Sequence, residues 1–253
     1  MQTEKRVALV TGGSRGIGRA IVEALARDGF RVAVNFRKQA DEASAVVAAV
    51  NAAGGEVFPV QADVGDAAQI SALVQTVIDR CGRIDALINN AGVHLPGVRL
   101  GDMRAQDWDW ILGVNLTAPF RLIQAVLPHM RARKSGHIVN LSSNVTQRLP
   151  ASFGAYAVSK VGIEALTRIL AKEEGVNGIR VNAVAPGPID TDMLAESMQV
   201  MGSERAQAFI NSVPLGRMGE PREIAAVVRF LVSDAASYVT GQTVFANGGG
   251  PGG

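Results

Sequence analysis

Tyr156 and Lys160 stand four residues apart in the run Tyr-Ala-Val-Ser-Lys. On a helix that spacing puts both side chains on one face. A free phenol titrates at about 10, too high to exchange protons readily at neutral pH. An ammonium beside it favours the phenolate and moves that value down. The pair can hand a proton to a developing alkoxide, or take one from an alcohol in the reverse direction. Tyr-x3-Lys is common by chance, so this chemistry needs companions. Asn140-Leu141-Ser142-Ser143 ends an apolar run and supplies hydroxyls where a strand would stop. A hydroxyl there can hydrogen-bond a carbonyl oxygen, although Ser142 fits a turn or a helix cap equally well.

A second group of residues suits an anion. Thr11-Gly12-Gly13-Ser14-Arg15-Gly16-Ile17-Gly18 follows the first apolar run and opens a helical pattern. Gly12 can turn tightly off the strand, Gly16 lets backbone approach a pyrophosphate, and Gly18 lets the helix pack close to the sheet. The helix N-terminus, from Ser14 to Ile17, offers free N–H groups to the phosphates. The spacing is Gly-x3-Gly-x-Gly, not the commoner Gly-x-Gly-x2-Gly of dinucleotide sites. The second run ends Val34-Asn35-Phe36-Arg37-Lys38, with no carboxylate before Asp41 to meet a ribose 2′-hydroxyl. Arg37, Lys38 and Arg15 could instead meet a 2′-phosphate, each contact contributing roughly 1.5–3 kcal/mol when ordered. NADP(H) is therefore the expected cofactor, with NAD(H) use left open.

The elements that would position these groups are legible as a rhythm. Short apolar runs at Val7–Val10, Val32–Val34, Val57–Val60, Ile84–Ile88, His137–Leu141, Ile179–Val184 and Thr243–Ala246 alternate with longer helical patterns. Most runs are continuous, as strands covered on both faces should be. Amphipathic stretches fall at Ile17–Asp28, Ala67–Arg80, Ile111–Met130, Tyr156–Glu174 and Ile224–Val232. Pro119 and Pro128 predict a kink near the first and the end of that helix near the second. Strand–helix alternation implies an α/β fold: a doubly wound, Rossmann-type, seven-stranded parallel sheet with helices on both faces, in one domain spanning residues 1–253. The rhythm breaks once, between Pro186 and Pro214. An excursion of that length reads as a lid over residues 190–214. The glycine-rich end, Gly248–Gly253, reads as loose.

Composition narrows the classes. The chain has 253 residues, 47% of them hydrophobic, and a net charge of +2. This suits a globular protein and provides no field for nucleic acid. Cys81 is the only cysteine, which argues against a disulfide or a thiolate metal site. The start, Met1–Arg6, is polar and no apolar run reaches membrane-spanning length, so the expected place is the cytoplasm, away from membranes.

Taken together, the motifs resemble the short-chain dehydrogenases/reductases, from Arg6 to about Gly249. The resemblance rests on Thr11–Gly18, Asp63-Val64, Asn89-Asn90-Ala91-Gly92, Asn115, Ser143, Tyr156/Lys160 and Pro186-Gly187, in that order. It implies Tyr156 as general acid/base, Ser143 as the serine orienting the substrate oxygen, and Lys160 as the residue tuning the tyrosine and holding the nicotinamide ribose. It implies that Asn115 holds a water linking the lysine to solvent. For the cofactor it implies Asp63 and Val64 at the adenine, Asn90, Ala91 and Gly92 along the chain, Pro186, Gly187 and Ile189 around the carboxamide, and Thr191 as a side-chain contact. Asn35 and Phe36 would flank the adenosine end with Arg37. The implied reaction is hydride transfer to a carbonyl carbon without a metal.

The pattern looks most like 3-oxoacyl-thioester reductases, which dock an acidic acyl carrier protein with basic residues near the active-site mouth. Lys134 matches one docking position; Asn177 replaces the other. A dehydrogenase or reductase of a free ketone, sugar or cyclic alcohol is the alternative, and a nonenzymatic NADP(H)-binding sensor a remote one. The family implies a homotetramer, although the chain ends without the apolar residues often found last there. His94 reads as a surface-loop histidine in preference to a pocket residue. Trp108 and Trp110 read as core or subunit contacts, and Met193, Met198 and Met201 as an adaptable apolar set on the lid.

Overall fold

Strands covered on both faces need mostly apolar residues, and β1, Val7–Val10, has only such residues, all buried. The computed structural model describes residues 5–250. The strands are β1 (Val7–Val10), β2 (Arg31–Phe36), β3 (Glu56–Gln61), β4 (Ala86–Asn89), β5 (Gly136–Leu141), β6 (Ile179–Pro186) and β7 (Thr243–Ala246). They form one seven-stranded sheet, ordered β3-β2-β1-β4-β5-β6-β7, in which every pair is parallel. The helices are α1 (Gly16–Arg27), α2 (Ala40–Ala52), α3 (Ala67–Cys81), α4 (Ala105–Leu112), α5 (Ala118–Arg133), α6 (Val145–Arg148), α7 (Gly154–Glu174), α8 (Asp192–Met201), α9 (Ser203–Asn211) and α10 (Pro221–Leu231).

Alternation along β1 shows how the layers form. Val7 and Leu9 enter one core with α3, α5 and α7; Ala8 and Val10 enter the other with α1, α2 and α10. Strand order reverses between β1 and β4, so the connections leave opposite faces and open a crevice at the carboxyl ends. Buried polar residues then lock the far half. Asn89 Nδ2 donates to Asn140 Oδ1 at 2.8 Å, and Asn140 Nδ2 donates to Thr167 Oγ1 at 2.9 Å. That relay joins β4, β5 and α7, fixing the helix that carries Tyr156 against the strand that leads to Ser143.

Four local expectations need correcting. The helix containing Pro128 does not end there but runs on to Arg133. Pro128 lies on the solvent face, where the carbonyl it leaves unpaired can bond water, while Leu127 and Met130 remain buried and hold the turn. The distortion expected at Pro119 is a π-helical turn, Gly113–Thr117, joining α4 to α5. The resulting Ala105–Arg133 helix has 29 residues and is long and apolar enough to cross a membrane, contrary to expectation. Half of its apolar window is buried, and it packs on α3, α7 and β5, as a core helix does. Last, Gly248–Gly250 is a defined turn: Leu215 N–H donates to the Gly248 carbonyl at 3.1 Å and Gly250 N–H to the Asn247 carbonyl at 2.9 Å. Residues 251–253, like residues 1–4 of the polar start, lie outside the described residues.

Candidate active site

A cleft of about 570 Å³ runs along the carboxyl edge of the sheet. That size suits a cofactor and small-substrate site. One end is the glycine turn. Gly12 and Gly16 have φ of +63° and +53°, backbone that side chains disfavour. A Cβ on Gly18 would stand 2.1 Å from the Gly12 carbonyl oxygen, so glycine there lets α1 start against the turn itself rather than against the sheet. Thr11 Oγ1 accepts from Asn90 N and Ala91 N, each at 3.0 Å, and Asn90 Nδ2 donates to the Thr11 and Gly12 carbonyls. The Asn90–Gly92 segment is thereby fastened to the turn. No side chain caps α1, and its first turn holds no acid, which leaves its N–H groups for an anion.

Ser14, Arg15, Ile17, Phe36, Arg37, Asp63, Val64, Ala91, Pro186, Gly187, Ile189 and Thr191 all line this cleft; Lys38 does not. Several have work within the protein as well. Asn35 lines the cleft, but its Nδ2 donates to the Val60 and Ala62 carbonyls and ties β2 to β3. Thr191 caps α8, its Oγ1 accepting from Leu194 N at 3.4 Å. Arg37 stands 3.8 Å from Asp63, and Arg15 pairs with Asp192 at 2.9 Å. Both pairs are substantially exposed, where ion pairs contribute only about 0–1 kcal/mol, so a phosphate could displace either carboxylate.

The other end brings Ser143, Tyr156 and Lys160 together. Ser143 follows β5. Its Oγ accepts from Val145 N at 3.3 Å, and its hydroxyl hydrogen-bonds the Tyr156 phenol. Lys160 lies one turn along α7 from Tyr156. Its Nζ donates to the Leu141 carbonyl at 2.7 Å and stands 5.5 Å from the tyrosine ring centroid. Burial pushes the Tyr156 phenol above its ordinary value, and the Ser143 bond offsets part of that rise. The lowering of the tyrosine by Lys160 that the sequence led us to expect is not seen: the phenol lies above its ordinary value. Burial also brings the Lys160 ammonium down to about 8.

Ser142 and Ser143 separate cleanly. Ser142 is buried and donates to Glu164 Oε1 at 2.7 Å, clamping the end of β5 to α7. Asn115, like Lys38, stands outside the cleft lining. It sits in the π-turn, where its Oδ1 accepts from Val93 N at 2.8 Å and its Nδ2 donates to the Val93 carbonyl and to Ser159 Oγ. Its side chain is fully engaged. Its backbone carbonyl lies four residues before Pro119, which has no N–H to give. Asn115 and Lys160 face the same spot, since a Cβ on Gly92 would lie 3.5 Å from Asn115 Oδ1 and 3.7 Å from Lys160 Nζ.

His94 corrects the surface-loop reading. It is half-buried in the cleft, its Nε2 3.0 Å from Ser197 Oγ and its ring centroid 6.3 Å from that of Tyr156, edge to face. Sequence reasoning missed Ser197, Phe209 and Arg148 as well; α8 and α9 fold over the cleft and bring in the first two, and Arg148 ends α6, its guanidinium 5.0 Å from the Phe209 ring centroid. Met193 and Met201 line it too, whereas Met198 does not. Trp110 is exposed, not part of the core. Lys134 and Asn177 precede β5 and β6 and so lie at the amino edge of the sheet, opposite this chain's cleft. Asn177 Nδ2 donates to Glu174 Oε2 at 2.9 Å.

The chain is similar to known proteins along most of its length. Residues 12–250 match a family model described as enoyl-(acyl carrier protein) reductase. The chain is 41% identical over 242 residues to a 3-oxoacyl-(acyl-carrier-protein) reductase of Staphylococcus aureus, covering 96% of each chain. It is 42% identical over 245 residues to the Synechocystis protein of that name, again covering 96% of each. Among solved structures it is similar to levodione reductase, with a TM-score of 0.92 and 40% identity over 96% of each chain. It is also similar to a blue fluorescent protein from a metagenomic library in complex with NADPH, with a TM-score of 0.88 and 38% identity over 96% of this chain and 97% of that one.

Proposed function

Because the chain belongs to the short-chain dehydrogenases/reductases, and is an oxidoreductase of that family, we propose that it reduces the ketone of a 3-oxoacyl thioester to a secondary alcohol, with NADP(H) preferred. The observation that carries this reading is the meeting of Ser143, Tyr156 and Lys160 at one end of a cleft whose other end is the glycine turn. The residues present fit the cofactor: left-handed glycines and an uncapped helix start for the pyrophosphate, Arg15 and Arg37 for the 2′-phosphate, Asp63 and Val64 for the adenine, and Pro186, Gly187, Ile189 and Thr191 at the carboxamide end. NADPH, when bound, supplies the hydride that reaches the carbonyl carbon. Ser143 donates to the carbonyl oxygen and holds it by Tyr156. Tyr156 gives that oxygen its proton as negative charge develops. Lys160 keeps positive charge beside the phenol, and the Asn115 carbonyl holds a water by which the proton is replaced.

Lys160 sets a pH limit. Its ammonium is charged below about 8 and is lost above. The kcat/KM for NADPH, which reports the free enzyme, is expected to stay level at neutral pH and fall as pH rises through about 8. A level profile well above that value would remove the lysine charge from the mechanism. Arg37→Ala is expected to lower kcat/KM for NADPH roughly 10- to 150-fold, the worth of one charge-assisted contact, while NADH changes little. Equal losses for both cofactors would refute the 2′-phosphate contact.

The substrate class follows the relatives named as 3-oxoacyl-(acyl-carrier-protein) reductases. The likeness to levodione reductase favours a second reading, a free carbonyl compound. NADPH oxidation with 3-oxoacyl groups on carrier protein and on coenzyme A, against a panel of small ketones and sugars, decides between them. Turnover of the ketones alone overturns the first reading. We place the enzyme in the cytoplasm, with α8 and α9, residues 190–214, as its substrate lid. A homotetramer is supported by apolar side chains left exposed on α4, α5 and α7: Trp110, Phe120, Val158, Val161 and Ile169. Sedimentation of a stable monomer at micromolar concentration would contradict it.

A further inference from the structure

The substrate side of the cleft is mostly apolar, with Val145, Phe153, Met193, Met201 and Phe209 in its wall. His94 interrupts it. The imidazole is half-buried, and burial holds it below its ordinary pKa, so at neutral pH it is uncharged and has one N–H to give. Two groups of α8 occupy it: Ser197 Oγ, 3.0 Å from Nε2, and the Met193 carbonyl. Ser197 also donates to the Met193 carbonyl at 3.2 Å, so that pair satisfies itself when the imidazole leaves. The ring stands edge-on to Tyr156, 6.3 Å between centroids. A carbonyl oxygen held by Tyr156 and a second oxygen two carbons along the same molecule can then meet the phenol and the imidazole together.

From this geometry we propose that His94 is a specificity-determining residue, exchanging its partners on α8 for the second oxygen of a β-dicarbonyl substrate. This rests on the carbonyl-reductase reading and deepens it. A ketone without that oxygen leaves the polar group unmatched, and discrimination of this kind is stronger than apolar pockets achieve. The bond also selects how the substrate lies, with its acyl tail directed toward the methionines.

The test compares ethyl acetoacetate with methyl propyl ketone in wild type, His94→Phe, His94→Gln and Ser197→Ala, with NADPH binding followed by fluorescence as the check on folding. His94→Phe is expected to lower kcat/KM for the keto ester about tenfold or more, the loss of one bond with its partner left unpaired, and to spare the simple ketone. His94→Gln, which keeps a donor, is expected to retain the preference if the phenylalanine variant fails to fold. Ser197→Ala is expected to keep it too. Equal losses on both substrates, or a Ser197→Ala loss matching that of His94→Phe, would show that His94 only fastens α8 and would overturn the proposal. Turnover by wild type of neither substrate nor of a 3-oxoacyl thioester would overturn the carbonyl-reductase reading, and this inference with it.

Discussion

Tyr156→Phe is expected to lower kcat by about 10²–10⁴, the span of a lost general acid, with the affinity for NADPH retained. The substitution removes one oxygen and little else. The ring that meets His94 edge-on stays, and so does the surface beneath Lys160. Tyr156 lies near the start of α7, which is held by Ala155, Ala157 and Ile163 in the core and by the Asn140–Thr167 bond. The fold therefore has no reason to change. The phenol also keeps its proton at neutral pH, because desolvation raises its pKa, so it stands ready as an acid for reduction. Single-turnover rates at saturating NADPH, with cofactor binding measured separately by fluorescence, would isolate the chemical step. Near-normal turnover by this variant would move the proton donor elsewhere, and His94 would be the nearest candidate.

How much of this was legible in the chain depends on how local each signal was. The strands are runs of four to eight residues covered on both sides, and their composition alone marks them. The glycine turn and Tyr156-x3-Lys160 are each contiguous, so their members could be paired before any fold was known. α2 went unrecognised because its apolar face is little more than Val46 and Val50 among alanines, too short a row to show a period. Pro128 misled because a proline's penalty depends on which face it occupies, and only the packed helix shows that the face is wet. His94 misled for another reason. Nothing within the loop says that α8 returns across it, more than a hundred residues later in the chain. Asn115 reads from its motif as a residue that holds a water, yet its side chain is taken up by Val93 and Ser159, and that is readable only once the π-turn has brought the three together.

Ser143→Ala and Ser142→Ala are adjacent, isosteric changes, and the structure separates their effects. Ser143→Ala removes the donor aimed at the substrate oxygen and is expected to cost about 10²–10³ in kcat, the usual loss for one preorganised donor to a developing oxyanion. The Val145 N–H occupies one lone pair of that hydroxyl, which leaves its proton for Tyr156 or a substrate oxygen. The loss should be far from additive with Tyr156→Phe, because both groups act on the same atom in one step. Ser142→Ala removes a donor to the buried Glu164 carboxylate instead, and leaves that charge short of a partner. Its expected cost is about 1–3 kcal/mol of stability, seen as a lower Tm, with kcat per folded molecule close to wild type. Measuring kcat and Tm on both variants makes the assignment reversible. If Ser142→Ala loses the rate and Ser143→Ala the stability, the two hydroxyls have been given each other's roles, and the carbonyl is held by Ser142, which also lines the cleft.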